Sequence, residues 1–363
     1  MVLILDEFPI LVEKFPEVLS ILQDKWDNLL KKTKIKLILC GSSVGMMEKY
    51  TLSYKSPLYG RRTGQWNLQK LEIKYLKDFF PSYNIKDLLL VFSCVDTIPG
   101  YLVKFSPDEN VWSNIRDRIL TKGEFLYEEV EILLREELRD PSNYMSIISS
   151  IAGGLTSFSE IAARTRLDKS LLSKYLYTLE NLGIIKKIMP VTETFKSRLK
   201  AKGAKYYIKD NFFDFWFRFV FLNKSELEQG NVSTVLKNIK KEINPYLSIK
   251  FESFVEKAIP SLKIIRPTRI GKWWHKENEI DVLALDEIKK HVLFCECKWK
   301  ENVDAEKEAK KLIDVSPLVE WHKKERKEFY AIFAKSFKRK INFIEKKRVV
   351  CFDLKALESS LFH

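Results

Sequence analysis

Val2-Leu-Ile-Leu5 is an apolar run closed by two acids, Asp6 and Glu7, and a second run, Ile35-Lys-Leu-Ile-Leu-Cys40, follows before residue 45. Between them Val18, Leu19, Ile21, Leu22, Trp26, Leu29 and Leu30 recur at helical spacing. A strand, an amphipathic helix and a strand in so short a stretch close as a right-handed crossover with parallel strands. Both runs therefore predict strands buried on both faces of an α/β sheet. Two strands do not make a stable sheet, so more are needed to complete it.

The 363 residues exceed what one hydrophobic core usually holds, and with 45% hydrophobic and 31% charged residues they predict several folded domains. The 63 Lys plus Arg outnumber the 49 Asp plus Glu, a net charge of +14 that favours a polyanionic partner. No apolar run reaches the roughly 18 residues needed to span a bilayer, so no membrane association is expected. The first residues lack the basic leader and long apolar core of a signal peptide. Cys40, Cys94, Cys295, Cys297 and Cys351 are odd in number and scattered in apolar runs, which implies a reducing, cytoplasmic setting without disulfides.

Along the chain, residues 71–140 read as helices. Met145–Ala152, Ser157–Thr165 and Asp168–Asn181 then read as three short helices, the second opened by a capping box of Ser157 and Glu160, with a strand after Gly183. Phe212–Phe221 is aromatic on most sides and reads as a buried packing helix. From Asn244 onward come a helix, a hairpin, and strands that include Glu328–Phe333 and Arg348–Phe352.

A strand that ends in two acids suits nucleotide chemistry: Asp6 at the tip could join a Mg²⁺ shell and Glu7 could polarise the attacking water. Ser42 and Ser43 after the second strand sit where a γ-phosphate sensor would, and Arg61 in Pro57-Leu-Tyr-Gly-Arg-Arg62 could neutralise transition-state charge. In this order the set resembles the archaeal ATPase family of STAND and AAA-like P-loop proteins, over essentially the whole chain. The resemblance implies a partial P-loop module at 1–70, a helical lid at 71–140, a winged helix-turn-helix at 141–205 and a further domain at 206–363. It also implies ATP, whose phosphates that family cradles with G-x-x-x-x-G-K-S/T. No such motif occurs in these residues, so ATP is expected only if the missing segment is supplied. Either the true start lies upstream, or this half has decayed, or self-association or another polypeptide completes the sheet. The chain alone is expected to hydrolyse no ATP.

Residues 141–205 hold 11 basic and 4 acidic residues, half of the net charge. Leu172, Leu176, Leu179 and Leu182 give the third helix a core face and leave Lys169, Ser170, Ser173, Lys174 and Tyr177 facing outward. A helix-turn-helix lays such a face in the major groove of DNA, with Ile184–Thr192 as the wing.

The C-terminal third carries Glu252 on a helix, then Glu279-Ile-Asp281 and Glu296-Cys-Lys298 on two apolar strands joined through Asp286–His291. A turn centred near residue 288 sets Asp281 opposite Glu296, and alternation puts Lys298 on the same face as Glu296. Asp281 and Glu296 would bind Mg²⁺ (or Mn²⁺), Glu252 would complete the shell, and Lys298 would position water. The order resembles the PD-(D/E)xK nuclease superfamily, which implies a restriction-endonuclease-like α/β/α domain. The fold class is thus a multidomain mixture of α/β and α+β. Its expected function is DNA binding with a Mg²⁺-dependent nuclease-like domain; the alternative is a non-catalytic DNA-binding or regulatory protein.

Overall fold

The computed structural model describes residues 1–42, 44–138, 140–193 and 203–362. Ser43 and the basic residues Lys196, Arg198, Lys200 and Lys202 lie outside the described residues. The protein is mixed α/β and divides into two compact units, residues 1–69 with 177–183 and residues 70–176 with 184–363. Among the described residues no helix is long and apolar enough to cross a membrane.

In the first unit β1 (Val2–Leu5) and β2 (Lys36–Leu39) pair in parallel, Val2 opposite Lys36 and Leu5 opposite Leu39, with α1 (Phe8–Lys14) and α2 (Glu17–Asn28) between them. The crossover is as expected, but the burial is not. Val2, Leu3 and Ile4 are 58, 42 and 58% exposed, because the two strands have no further paired neighbour among the described residues. The small core of Phe8, Val12 and Leu58 lies under the strand tips. There the Cys40 amide donates to the Leu5 carbonyl (3.1 Å) and the Phe8 amide to the Cys40 carbonyl (2.9 Å). Gly41 is needed at this junction: a Cβ there would lie 2.6 Å from Pro9 Cδ.

The second unit contains α3 (Ile85–Val95), α4 (Phe125–Glu137), α5 (Ser142–Ala152) and α6 (Phe158–Thr165). The helix α7 (Lys169–Asn181) begins in this unit. The capping box on α6 forms as read, Ser157 and Glu160 each bonding the other's backbone N–H. β3 (Ile185–Ile188) pairs antiparallel with β4 (Lys205–Ile208), a strand that the periodicity did not reveal. Phe212, Phe213, Phe215, Trp216, Phe217 and Phe219 are buried, as expected of a packing helix, and its turns widen to a π-helix over 216–220.

The rest of the unit is built on α8 (Val232–Leu262), 31 residues long despite Pro245 and Pro260 inside it, and a six-stranded sheet. That helix begins before Asn244 because its buried stripe of Val235, Ile239, Ile243, Tyr246 and Phe251 continues through the proline, so tertiary packing offsets the lost backbone bond. The strands are β5 (Arg269–His275), β6 (Asn278–Asp286), β7 (His291–Lys298), β8 (Lys327–Ala334), β9 (Phe343–Ile344) and β10 (Lys347–Phe352). Their spatial order is β9-β10-β8-β7-β6-β5, with β5, β6 and β7 antiparallel and β7, β8 and β10 parallel. Leu283, Leu285, Val292 and Phe294 form the apolar core of one face with Ala309 and Leu312 of α9 (Ala305–Val315).

Helices α3 and α8 and residue 211 are joined by buried charge. Asp96, 1% exposed, accepts from Lys70 (2.7 Å), Lys257 (3.2 Å) and the Asn211 amide (3.2 Å). Lys250, 4% exposed, pairs with Asp214 (2.6 Å) and donates to Asn211 Oδ1 (2.9 Å). Burial alone would raise the Asp96 pKa, but the two lysines outweigh it and hold it at about 2. Asp96→Asn is expected to cost about 2–3 kcal/mol, below the value for a fully buried pair because both lysines reach water. The carboxylate's contribution is present above its unfolded pKa of about 3.9 and is lost as pH falls through the folded value. Urea denaturation of both proteins should therefore show the gap near pH 7 and a smaller one near pH 2.

Candidate functional site

The first set of predicted residues lies at the tips of β1 and β2. Asp6 accepts from the Cys40 thiol (3.2 Å) and from the Glu7 amide (3.0 Å), and the Ser42 hydroxyl donates to Glu7 (3.3 Å). The strand pairing thus brings Asp6, Glu7 and Ser42 together. Glu7 holds a left-handed backbone, φ 47°, which turns the chain sharply from β1 into α1. Arg61 is not brought to the acids: its guanidinium makes two bonds to Asp27 (2.7 and 3.0 Å) and one to the Pro57 carbonyl (2.7 Å). The Asp27 carboxyl is held below its ordinary range by the Arg61 hydrogen bond.

On α7, Leu172, Leu176 and Leu179 are buried, while Lys169, Ser170, Ser173, Lys174 and Tyr177 are all exposed. The Ser173 hydroxyl donates to the Lys169 carbonyl (2.8 Å). One helix therefore presents two cations, an aromatic ring and small hydroxyl residues on its outer side.

The third set is organised by the β6–β7 register. The ladder runs from Asp286 opposite His291 to Val282 opposite Cys295, so Asp281 and Glu296 lie one step beyond its last pair. Asp281 and Val282 together oppose the single Lys272 of β5, a bulge that interrupts the alternation of β6 so that Ile280 and Leu283 enter the same apolar core, while Glu296 and Lys298 lie on the face of Phe294. At this point β6 leaves β7, and the Asp281 carboxylate accepts the Cys297 amide (2.8 Å) that the ladder no longer serves. Lys298 donates to Glu296, whose side chain is 15% exposed. Glu252, on α8, is paired with Lys272.

Lys272 was not singled out by the motif. It is the one β5 residue that faces two of β6, Asp281 and Val282, where the register shifts between Gly271 and Trp273, so the bulge that re-aims side chains is on β6 opposite it. Its ammonium also lies 3.6 Å from Glu279 and 6.0 Å from the centre of the Tyr207 ring on β4. Glu308 of α9 is a second missed acid, buried at 9% exposure, bonded to Lys311 (3.1 Å), and one of the charges that act on Glu296 and Lys298. Neither residue carries a sequence signal of its own; a bulge and a helix packed over a strand end create their positions.

Burial pushes Glu252 up to about 7 in spite of Lys272, and the charge of Asp281 adds to the rise. Burial, then Asp281, push Glu296 up to about 7 against the pull of Lys298. Asp281 is also raised by burial, opposed by the Cys297 N–H. Three buried carboxyls with raised proton affinity, two of them raised further by the charge of Asp281, are under-neutralised, and their hard oxygens suit a divalent cation such as Mg²⁺. Among the described residues, however, no three His, Cys, Asp or Glu stand as a group ready to hold a metal ion, and Glu252 and Glu296 are each paired with a lysine.

Comparison with known proteins bears on each part. Residues 1–105 match a family model described as an ATPase domain predominantly from Archaea. Residues 127–213 match a domain of unknown function, and 216–312 a family of archaeal and bacterial proteins of unknown function. An uncharacterized protein of Methanocaldococcus jannaschii is 38% identical over 348 residues, covering 94% of this chain and 77% of that protein. A second uncharacterized protein of that organism is 52% identical over 42 residues, 12% of this chain and 41% of its own length.

The raised carboxyls carry a stability signature. A folded-state pKa above the unfolded one gives stability that is complete below the unfolded value of 4.5 and lost as pH rises through about 7. The urea midpoint should fall between pH values near 5 and 8, and Glu252→Gln with Glu296→Gln should flatten that slope. An unchanged slope in the double variant would show that these carboxyls are not shifted.

Proposed function

Because the chain belongs to the archaeal ATPase-domain family, we propose that it is a cytoplasmic DNA-associated protein. In this reading residues 141–205 act as a winged helix and residues 206–363 as a PD-(D/E)xK nuclease-like domain that hydrolyses phosphodiester bonds. The observation that carries it is the meeting of Asp281 and Glu296 past the end of the β6–β7 ladder, where the charge of Asp281 acts on Glu296 and Lys298 pairs with Glu296.

Mg²⁺ or Mn²⁺ would be held by Asp281 and Glu296, with Glu252 completing the shell, and when bound would supply Lewis-acid stabilisation to a phosphoryl oxygen. The Cys297 amide keeps the Asp281 carboxylate oriented. Lys298, its charge maintained by Glu296, would stabilise the negative charge that grows on the phosphate oxygens and orient the attacking water. Glu296 at a raised pKa can hold or release a proton near neutral pH.

On the DNA side, Lys169 and Lys174 would contact phosphates, and Ser170, Ser173 and Tyr177 would face the groove, with the β3–β4 hairpin as the wing. Residues 1–70 would be an ATPase module and 71–140 its lid. Asp6, Glu7, Ser42, Ser43 and Arg61 would act on ATP only with a phosphate-binding loop, which these 363 residues do not contain. A partner or a second copy that completes the strand pair would bring it.

One observation favours a second reading: each site carboxylate already has a protein partner, so the domain could hold DNA without cutting it. Cleavage of single- and double-stranded DNA with Mg²⁺ or Mn²⁺ decides between them. Activity that drops at least a hundredfold in both Asp281→Ala and Lys298→Ala supports the nuclease; no activity in the unaltered protein, or equal activity in all three, leaves the binding role. Separately, Lys169→Glu with Lys174→Glu should weaken duplex binding and reduce the salt slope by about 2. An unchanged slope would rule out this helix as the DNA contact.

A further inference from the structure

The sequence order of three acids and one lysine leaves out the cation that sits deepest among them. We infer that Lys272 is a resident counter-ion of the site, which competes with a divalent metal for Glu252 and thereby sets how readily the site loads. This inference rests on the nuclease-like reading above and concerns the regulation of that same site.

Two features place Lys272. Lys272 is the one β5 residue opposite the β6 bulge of Asp281 and Val282, and its side chain pairs with Glu252 of α8. Its own carbonyl accepts the Val191 amide (2.9 Å), so the strand bearing it is held by the segment that follows β3. The Lys272 side chain is only 17% exposed, so solvent screens its charge weakly.

In that setting Lys272 acts in two ways. It occupies the Glu252 carboxylate, which then cannot complete a shell begun by Asp281 and Glu296. Its fixed positive charge also repels a divalent ion directly, an effect worth roughly tenfold or more in affinity at the partial burial found here. Lys298, the lysine of the motif, pairs with Glu296 two residues away on the same strand. Lys272 instead bridges α8 and β5 at the sheet edge, so Glu252 is open to a metal only when Lys272 leaves it.

The test is the affinity of the full chain for Mn²⁺ alone, read from the electron paramagnetic resonance signal of the free ion, so that no turnover is needed. Lys272→Met is expected to bind Mn²⁺ at least tenfold more tightly than the unaltered protein. Lys272→Arg, which keeps the charge, should leave the affinity unchanged, and Glu252→Gln added to Lys272→Met should abolish most of the gain. Lys272→Gln serves as the uncharged variant if the methionine fails to fold. If Mn²⁺ binds in an Asp281-dependent way but Lys272→Met and Lys272→Gln bind no tighter, the counter-ion role is overturned while the metal site stands. If no variant binds Mn²⁺, or Asp281→Ala binds as well as the rest, the metal reading itself has failed and Lys272 with it.

Discussion

A carboxylate removed from water must be given a positive partner or take up a proton, and the second unit of this protein is arranged around that requirement. Asp96 sits among two lysines and a backbone amide, Lys250 against Asp214, Glu252 against Lys272 and Glu296 against Lys298. Three of these groups, Lys250, Glu252 and Lys257, lie within eight positions of one another on the same long helix. The α8 helix therefore serves both as the polar tie to the helices before it and as the wall of the acid site. Its two prolines are tolerated because the stripe of apolar contacts around them outweighs the missing backbone bonds.

The two charge clusters differ in how completely they are neutralised. Asp96 has more cations than it needs and is held at about 2, the state of a group committed to structure. Glu252 and Glu296 are buried with one lysine each and the charge of Asp281 acting on both, and both rise to about 7. A structural ion pair has no need of that frustration. Its cost in the folded state is consistent with a site shaped for something else, a cation or a phosphate.

Much of this was legible along the chain. The apolar run ending at Asp6, the helix after it and the run ending at Cys40 specify a parallel pair, since only that connection is sterically open. The turn centre near residue 288 fixes the β6–β7 ladder from Asp286 opposite His291 to Val282 opposite Cys295, because strand register follows from turn position, but the bulge at Asp281 is not recorded in the turn. Leu172, Leu176 and Leu179 mark the inner side of α7 for the same kind of reason, a period near 3.6. The burial of β1 was not legible: an apolar run predicts a two-sided cover, whereas cover depends on neighbours that the run itself does not encode. The strand at Lys205–Ile208 was hidden by its mixed Lys-Tyr-Tyr-Ile composition, which becomes a strand only by pairing with Ile185–Ile188.

The sequence by itself therefore determined most of the elements and their order, the buried side of α7, and the membership of the chain in an ATPase-domain family. These depend on local periodicity and turn position, which act over a few residues. Only the tertiary structure decided that Arg61 is held by Asp27 away from the acids, that Glu308 stands beside Glu296, and that Lys272 opposite a one-residue bulge takes Glu252. Those choices are made between residues far apart in the chain, where a shift of one position in a ladder or the docking of one helix changes which charges meet, and no local pattern records it.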